Sequence, residues 1–252
     1  MNISPNHNRD LRDDIREYWS DRAATFDQDP GHRIAEGAEL SAWEDLFRRH
    51  LGPAEGRRLL DLASGTGEIA RLTRGLGFHV TGLDWSERML DRARSKLPDV
   101  TFLQADAERT MLPDACMDVI VTRHLVWTLV DPQAAFAEWH RVLVPGGRIL
   151  VVDGDFVNGS WLTRLLAGLR APAPAPSRQR HQEILRRVHF SGGARAELVT
   201  DLLAGAGFAG LRIDRRLGRI HRAQAAQLGW RRSLMRNIEH RYAISATKPA
   251  EG

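Results

Sequence analysis

The sequence predicts an α/β fold, in which a mostly parallel sheet of seven strands is covered by helices on both faces. The first observation is a strict alternation from residue 57 onwards, where short apolar segments of strand length are separated by segments of helix length. Such alternation favours right-handed crossovers and therefore parallel strands. The second observation is the run 58–72, which has the pattern of a buried strand, a turn with two glycines and a helix. This combination is typical of the start of a nucleotide-binding α/β unit.

Five strands are predicted in the parallel part of the sheet. They cover residues 58–62, 79–84, 101–104, 118–122 and 148–153. The helices between them are predicted near residues 67–75, 86–97 and 132–143. A ligand of such a sheet is expected at the carboxyl ends of the strands, beside the first one.

Two helices are predicted before the first strand. Between residues 10 and 28, apolar residues recur at helical spacing with arginines and acids on the other face. This pattern predicts an amphipathic helix that lies on the domain. A second helix is predicted from about residue 35 to residue 51, where Gly52-Pro53 ends it.

The last hundred residues begin with an insertion, predicted over residues 156–193. Its segment 171–177 repeats alanine and proline, and repeated proline blocks both helix and sheet, so we expect an exposed loop there. Beyond it the patterns predict a helix at 194–204, a strand at 210–215, a helix near 222–236 and a strand at 241–247. No domain linker interrupts residues 1–252, which predicts a single domain.

Composition excludes several classes of protein. The net charge is +4 and nearly all of the positive charge is arginine, since Lys96 and Lys248 are the only lysines. The arginines are scattered among 32 acids rather than clustered as a nucleic-acid surface requires. The polar amino terminus lacks the apolar core of a signal peptide, and no apolar run approaches the ~18 residues of a membrane helix. A single cysteine, Cys116, excludes an internal disulfide and a cysteine-rich metal cluster. We therefore expect a cytoplasmic protein without a bound metal.

The turn after the first strand is Asp61-Leu62-Ala63-Ser64-Gly65-Thr66-Gly67. It holds only part of a dinucleotide-binding fingerprint, because Ala70 stands where the third glycine is expected. The run resembles motif I of the class I S-adenosylmethionine (SAM) methyltransferases of the small-molecule, UbiE-like type, whose usual form is a strand followed by D-x-x-x-G-x-G. The resemblance implies a Rossmann-like sheet whose two late strands form an antiparallel C-terminal edge hairpin. It also implies that Asp61 helps to seat the ammonium group of SAM.

Further positions fit the same resemblance. Asp84 ends the second strand, where a carboxylate can accept both hydroxyls of a ribose. The neighbouring Trp85 is expected to stack on adenine, and Asp106 with Ala107 to recognise the adenine edge after the third strand. The family's turn into its fifth strand is matched by residues 143–148. The cofactor-binding residues implied in this way are Tyr18, Trp19, Arg22, Asp61, Ala63, Ser64, Gly65, Gly67, Asp84, Trp85, Asp106, Ala107 and Arg123.

The acceptor is expected at the end of the fourth strand, Thr122–Trp127. Methyltransferases that act on nucleic acids or proteins place an Asn-Pro-Pro cluster there, and this chain has none. Metal-dependent catechol methyltransferases need carboxylates and an amide around this position, where this chain has Arg123. His124 is the candidate general base or substrate acceptor, since the pKa of histidine suits proton transfer near neutrality; the alternative is a packing residue. Trp127 and His32 are candidate walls of the acceptor pocket.

The predicted activity is methyl transfer from SAM to nitrogen, oxygen, sulfur or carbon of a small molecule. The N-terminal helices 1–52 are expected to form a lid and the insertion 156–193 a substrate cap. Three alternatives stay open: a nicotinamide-dependent oxidoreductase, a non-catalytic SAM-binding protein, and a nucleic-acid methyltransferase. The acceptor, the methylated atom and the oligomeric state are not determined by the sequence.

Overall fold

A computed structural model describes residues 5–28, 31–155, 176–226 and 241–250. Within these ranges the chain builds one seven-stranded sheet in the order β3-β2-β1-β4-β5-β7-β6. The strands are β1 Arg58–Leu62, β2 His79–Asp84, β3 Thr101–Gln104, β4 Met117–Arg123, β5 Leu143–Gly154, β6 Ala209–Asp214 and β7 Arg241–Thr247. The helices are α1 Pro5–Arg22, α2 Ala38–Leu51, α3 Glu68–Gly75, α4 Glu87–Lys96, α5 Pro132–Val142, α6 Pro176–Arg187, α7 Ala196–Gly205 and α8 Gly218–Ala225. Short 3-10 turns lie at Phe26–Gln28 and Val126–Thr128.

Strands β1 to β5 run parallel, as predicted, and β7 is antiparallel to both of its neighbours, β5 and β6. The strand order reverses beside β1, because β2 pairs with one side of it and β4 with the other. In an open sheet of this kind the ligand crevice lies at the carboxyl ends of the strands next to that reversal. The predicted fold class, including an antiparallel pair at the C-terminal edge, is confirmed.

Alternate residues of the central strands enter different cores. Ile120 packs on one face with α5 and α7, while Val119 and Val121 pack on the other with α2, α3 and α8. Since successive side chains of a strand point to opposite faces, a sheet that is buried on both faces needs apolar residues at nearly every position. This requirement explains why the strands were recognisable as short, nearly continuous apolar runs.

Strand β5 differs most from its predicted bounds, since it begins at Leu143 instead of residue 148. The chain beyond β7 supports this extension: Gly146 N–H donates to the Lys248 carbonyl and Lys248 N–H to the Gly147 carbonyl, each at 2.9 Å. Helix α8 begins four residues before the prediction, and residues 227–236 of the predicted helix lie outside the described residues. Residues 156–175 of the predicted insertion also lie outside the described residues. The part of the insertion that the structure describes, residues 176–193, contains helix α6.

The two N-terminal helices occupy different places. Helix α1 packs against α6 through Leu11, Ile15 and Tyr18, which meet Ile184 and Val188. Helix α2 instead packs into the core beneath the sheet, together with α3 and α8.

Gly82 in β2 offers a direct test of the packing beside the first turn. A Cβ atom at this position would lie 2.4 Å from two ring carbons of Phe102 and 3.1 Å from Ser64 Oγ. We expect Gly82→Ala to lower the free energy of unfolding by about 1–3 kcal/mol, because overpacking forces neighbouring groups to shift. Urea unfolding measures the change. The control is Gly75→Ala, where an added Cβ meets nothing within 4 Å; equal losses in both variants would contradict the packing argument.

Candidate functional site

A cavity of about 490 Å³ opens at the carboxyl ends of β1, β2 and β4. Its walls come from the turn after β1, the ends of β2 and β4, the segments after β3 and β4, helix α1 and residues of α6 and β7. This volume lies within the range of pockets for small molecules and cofactors. No residue of α2 lines the cavity, so among the lid helices expected in residues 1–52 only α1 and the segment that follows it form part of its wall.

The turn after β1 takes a left-handed backbone at three positions. The φ angles are 56° at Ala63, 53° at Gly65 and 87° at Gly67. Glycine adopts these angles without cost, whereas Ala63 is a non-glycine residue in a sparsely populated region, and such residues concentrate at functional sites. Ser64 N–H donates to the Leu83 carbonyl at 2.9 Å, which ties the turn to β2. The buried Ser64 Oγ has no hydrogen-bond partner within the described structure.

Asp84 holds the turn in place. One carboxylate oxygen accepts from Gly65 N–H and the other from Ser86 N–H, both at 2.8 Å. Burial raises the pKa of Asp84, while these two N–H donors act in the opposite direction. Each carboxylate oxygen can accept more than one hydrogen bond, so the side chain keeps acceptor capacity toward the cavity that it lines.

Asp61 lies behind the turn. It is buried at the end of β1 and does not line the cavity, and its Oδ2 has no hydrogen-bond partner. Burial raises the pKa of Asp61 to about 8, although the nearby Arg123 guanidinium opposes this shift. A carboxyl group in this state exchanges its proton near neutral pH and responds strongly to a positive charge placed close to it.

Two other predicted cofactor residues also stay outside the cavity wall. Gly67 is covered by α4 and β3, since a Cβ atom there would meet Ala93, Leu97 and Phe102 within 3.5 Å. Tyr18 is buried against α6, and its hydroxyl accepts a hydrogen bond of 2.7 Å from Arg22. The remaining predicted residues do line the cavity: Trp19, Arg22, Ala63, Ser64, Gly65, Asp84, Trp85, Asp106, Ala107, Arg123, His32, His124 and Trp127.

The segment after β3 adds an acid that the sequence analysis did not assign. Glu108 lines the cavity beside Asp106. Its Oε1 accepts hydrogen bonds from the N–H groups of Val130 and Asp131, at 2.6 and 3.1 Å. Arg12 of α1 forms ion pairs with both acids, so the helix over the cavity is tied to this segment. Burial raises the pKa of Asp106 and of Glu108, and Arg12 opposes both shifts.

The segment after α1 is anchored on the turn by a second ion pair. Asp27 accepts from the Thr66 hydroxyl and lies 2.6 Å from Lys96 Nζ. Although burial acts to raise the pKa of Asp27, these two partners outweigh it and keep the pKa below its usual value. Phe26 then covers Gly65, with a ring carbon 3.6 Å from the Cβ position there. The sequence offered no signal for this contact, because the partners lie 39 residues apart or more.

Arg123 and His124 end β4 on the other side of the cavity. The Arg123 guanidinium donates to the carbonyls of Gly31 and His32 and lies over the Trp43 ring, 5.4 Å from its centroid. His124 has a left-handed backbone with φ of 62°, which is another sparsely populated conformation. Its Nε2 faces Arg241 Nη1 at 3.5 Å.

The expected acceptor wall is formed by aromatic and histidine rings from α1, from the segment that follows it, from the turn after β4 and from α6. His32 stacks on Phe26 with ring centroids 4.0 Å apart, and its Nδ1 donates to the Phe26 carbonyl at 3.0 Å. Trp127 meets Trp19 at 6.1 Å and His181 of α6 at 5.3 Å. Burial lowers the pKa of His181, with the Arg22 charge as a second cause.

His181 and Arg241 also line the cavity, although neither belongs to a motif of the sequence. Each follows a poorly patterned segment and stands more than 50 residues beyond Trp127, so no local motif connects either one to the site. The only available signal was the antiparallel direction of the last strand, which brings its first residue to the ligand edge.

Two features are absent from the described residues. No group of three histidine, cysteine or acidic side chains is arranged to hold a metal ion. None of the helices has the length and apolar character needed to cross a membrane.

Comparison with known proteins gives consistent matches. A family model described as a methyltransferase domain matches residues 60–151. The chain is 43% identical over 116 residues to malonyl-[acyl-carrier protein] O-methyltransferase of Serratia marcescens, covering 45% of this chain and 46% of that protein. It is 32% identical over 151 residues to the ubiquinone/menaquinone biosynthesis C-methyltransferase UbiE of Bdellovibrio bacteriovorus, covering 57% and 63%. The chain thus matches less than two thirds of the length of either relative.

Among solved structures, phosphoethanolamine N-methyltransferase 2 of Haemonchus contortus, in complex with SAM, superposes with a TM-score of 0.67. The match covers 96% of this chain and 60% of that chain at 18% identity, so it shows a shared fold. The family match includes the turn after β1, the end of β2 and the segment after β3, which are the elements that line one half of the cavity. Residues 60–151 therefore match a methyltransferase domain, and the chain has the fold of a SAM-dependent methyltransferase.

Proposed function

We propose that the chain transfers a methyl group from SAM to a small-molecule acceptor. The observation that carries the proposal is Asp84, whose carboxylate lines the cavity and is oriented by N–H groups of Gly65 and Ser86. A carboxylate fixed at both oxygens suits a pair of vicinal hydroxyls, as on a ribose. It stands directly beside a glycine turn that keeps the backbone open to a ligand.

The residues present fit SAM along its whole length. Asp84 would receive the ribose hydroxyls, and Trp85 with Asp106 and Ala107 would hold the adenine. The methionine end would lie at Gly65, above the buried acid Asp61. Two buried atoms without hydrogen-bond partners, Asp61 Oδ2 and Ser64 Oγ, occur at this end and are available to polar groups reached directly or through water.

Bound SAM supplies a methyl group that is already activated by the sulfonium charge. What the chain adds is alignment of the acceptor and exclusion of water. Trp19 and Phe26 would exclude water, since both rings line the cavity from the helix and segment that cover it. His124, which lines the cavity, would accept a proton from acceptors that must lose one, because a neutral imidazole has one unprotonated ring nitrogen.

The acceptor is proposed to be a small molecule and not a nucleic acid. The relatives named above are O-, C- and N-methyltransferases, so the methylated atom differs among proteins that share this fold. Substrate choice in such folds lies in the segments added to the shared framework. In this chain those segments are α1, the insertion at 156–193 and the first residue of β7, Arg241.

Calorimetry with S-adenosylhomocysteine (SAH) and with NAD tests the cofactor. We expect SAH to bind and NAD to bind far more weakly; tighter binding of NAD would establish the oxidoreductase alternative. Consumption of SAM with a panel of amine, thiol, phenol and carboxylic acid acceptors then tests the activity. Binding of SAH without turnover of any acceptor would support a non-catalytic SAM-binding protein, and tight, steeply salt-dependent binding of RNA would support the nucleic-acid alternative.

His124→Asn tests the proposed base, because asparagine tolerates the left-handed backbone but does not take up a proton near neutral pH. For an acceptor that loses a proton, we expect kcat to fall by about 100-fold or more, with unchanged affinity for SAH. Steady-state kinetics and calorimetry measure the two quantities. A kcat within about threefold of the parent would instead identify His124 as a packing residue.

A further inference from the structure

A second cavity lies apart from the one at the carboxyl ends of the strands. Its volume is about 550 Å³, and its walls come from α2, the loop after β6 and the first part of α8. Within the described residues it shares no lining residue with the first cavity. Four of its eight lining residues are arginines, so it is called the arginine pocket: Arg49, Arg216, Arg219 and Arg222.

The cations of the arginine pocket outnumber the carboxylates that they contact. Asp45 is the only acid among the described lining residues, and it pairs with Arg219. Asp214, which ends β6 and does not line the pocket, pairs with Arg49 at 3.4 Å and with Arg216 at 3.3 Å. Four guanidinium groups are therefore matched by two carboxylates, and two positive charges remain without compensation.

Asp214 holds the two arginines that it contacts. Its side chain is buried, accepts from the Arg216 N–H at 2.8 Å and lies 2.9 Å from His50 Nε2. Burial acts to raise the pKa of Asp214, but these hydrogen bonds and the Arg49 charge outweigh it and keep the pKa below its usual value. An ionised carboxylate in this place restricts both arginine side chains, so they lose less conformational entropy when a ligand binds.

Arg222 differs from the other three arginines. Its side chain is exposed and forms no hydrogen bond or ion pair within the described residues. Its Nη1 lies 3.7 Å from the position of a Cβ atom on Gly218, so the guanidinium turns back toward the start of α8. Like charges in one pocket repel each other, and a bound anion relieves this repulsion.

The geometry of guanidinium groups and the amount of excess charge both favour phosphate as the anion. A guanidinium carries five N–H donors in a planar fork that matches two oxygens of a phosphate group. The pairs with Asp45 and Asp214 occupy one side-chain nitrogen each in Arg49, Arg216 and Arg219, so other donors remain. A phosphate monoester carries a charge of about −1.5 to −2 near neutral pH, which matches the excess, whereas a carboxylate supplies only half of it.

We propose that the arginine pocket binds a phosphate-bearing ligand, which is held by Arg222 together with Arg49, Arg216 and Arg219. Such a site lies outside the methyl-transfer function. It does not depend on SAM binding, because the two cavities have no described lining residue in common.

Titration of the parent protein with inorganic phosphate, phenyl phosphate and acetate tests the site. Calorimetry at about 10 mM salt, where surface charges are little screened, measures the affinities. We expect the phosphates to bind at least about tenfold more tightly than acetate, because they carry the additional charge and fit the guanidinium fork. Tighter binding of phenyl phosphate than of inorganic phosphate identifies a phosphorylated molecule as the ligand, and the reverse order identifies free phosphate.

NMR of the backbone amides locates the bound anion. The signals of Gly218 and Arg219, at the pocket, should shift on titration. Those of Gly65 and Ser86, at the first cavity, should stay in place.

Two variants should change the affinity for phosphate in opposite directions. Arg222→Gln should weaken binding by about fivefold or more, as loss of a charge-assisted hydrogen bond does, and should leave stability and SAH affinity at parental values. Asp45→Asn should strengthen binding, because it removes the only carboxylate among the described lining residues. The matched control is Arg74→Gln, which removes the same charge at an exposed position of α3 outside both cavities and should behave as the parent.

Three results would overturn the assignment. The first is equal affinity of the parent for phosphate and acetate, and the second is parental phosphate affinity in Arg222→Gln. The third is an equal loss in Arg222→Gln and Arg74→Gln, since binding would then reflect the net charge of the chain and not this pocket. The affinity for SAH is measured separately, so a failure of the proposed methyl transfer leaves this test intact.

Discussion

Replacing Asp84 by alanine is expected to lower the affinity for SAH by about 100-fold or more, because two hydrogen bonds from ribose hydroxyls to a carboxylate are lost together. The loss has a second component in this chain. The Gly65 and Ser86 N–H groups that now donate to Asp84 would lose their acceptor, which would loosen the turn proposed to hold the cofactor. Isothermal titration calorimetry with SAH measures the affinity, and thermal unfolding shows whether the variant is folded.

Asp91→Ala is the matched control for this experiment. Asp91 lies on the exposed side of α4, seven residues beyond Asp84, and its ion pair with Arg94 spans 3.4 Å at the surface. Surface pairs of this kind contribute little to stability, so both SAH affinity and folding should remain at parental values. If Asp84→Ala retains the parental affinity for SAH, the ribose assignment is wrong.

Replacing Asp61 by asparagine is expected to change how stability depends on pH. In the folded protein burial raises the pKa of Asp61 to about 8, whereas the unfolded chain releases this proton at about pH 3.9. Between these values the folded state binds the additional proton, so the Asp61 contribution to stability is fully present below pH 3.9 and is lost as pH rises through 8. The difference in free energy of unfolding between parent and variant should decline by at most roughly 1.4 kcal/mol per pH unit across this window.

Urea unfolding of both proteins from pH 4 to pH 9, without ligand, measures this difference. Asp118→Asn serves as a control, because the pKa of Asp118 is shifted in the opposite direction and its effect on stability should have the opposite dependence on pH. Hydrogen bonds from Arg58 lower the pKa of Asp118, so its contribution is present above the unfolded pKa and disappears as pH falls through the folded one. A difference between parent and Asp61→Asn that does not vary with pH would mean that Asp61 is ionised in the folded protein.

Helix α1 connects the two halves of the cavity. Through Arg12 it is paired with Asp106 and Glu108, and the Ser20 hydroxyl donates to Ser86 Oγ at 2.9 Å beside Asp84. On its other side, Asp14 pairs with Arg187 of α6, the helix that carries His181. The helix therefore contacts the elements proposed to bind the cofactor and an element of the proposed acceptor wall. A shift of α1 would change its contacts with both.

The sequence alone determined the sheet and the half of the cavity that lies at the ends of β1, β2 and β3. Strands that are buried on both faces require runs of apolar residues, and the helices between them require amphipathic patterns. These two patterns alternate along the chain, and the predicted bounds of β1, β2, β3 and β7 agree with the structure. Asp84 ends β2, and Ser64, Gly65 and Asp106 each follow a strand end by two or three residues. Because the carboxyl ends of parallel strands meet at one edge, these positions were sufficient to bring the four residues to one cavity.

Only the tertiary structure decided the rest of the site. Tyr18 and Gly67 matched the family pattern, but the packing of α1 on α6 and of α4 on the turn removes them from the cavity wall. Arg241 and His181 reach that wall because β7 runs antiparallel beside β5 and because α6 packs against α1. These placements depend on contacts between residues that are distant in the chain, 87 positions apart for Gly154 and Arg241, and a single sequence contains no local signal for them. The residues proposed for the acceptor wall are of this kind, and only the three-dimensional structure brings them together.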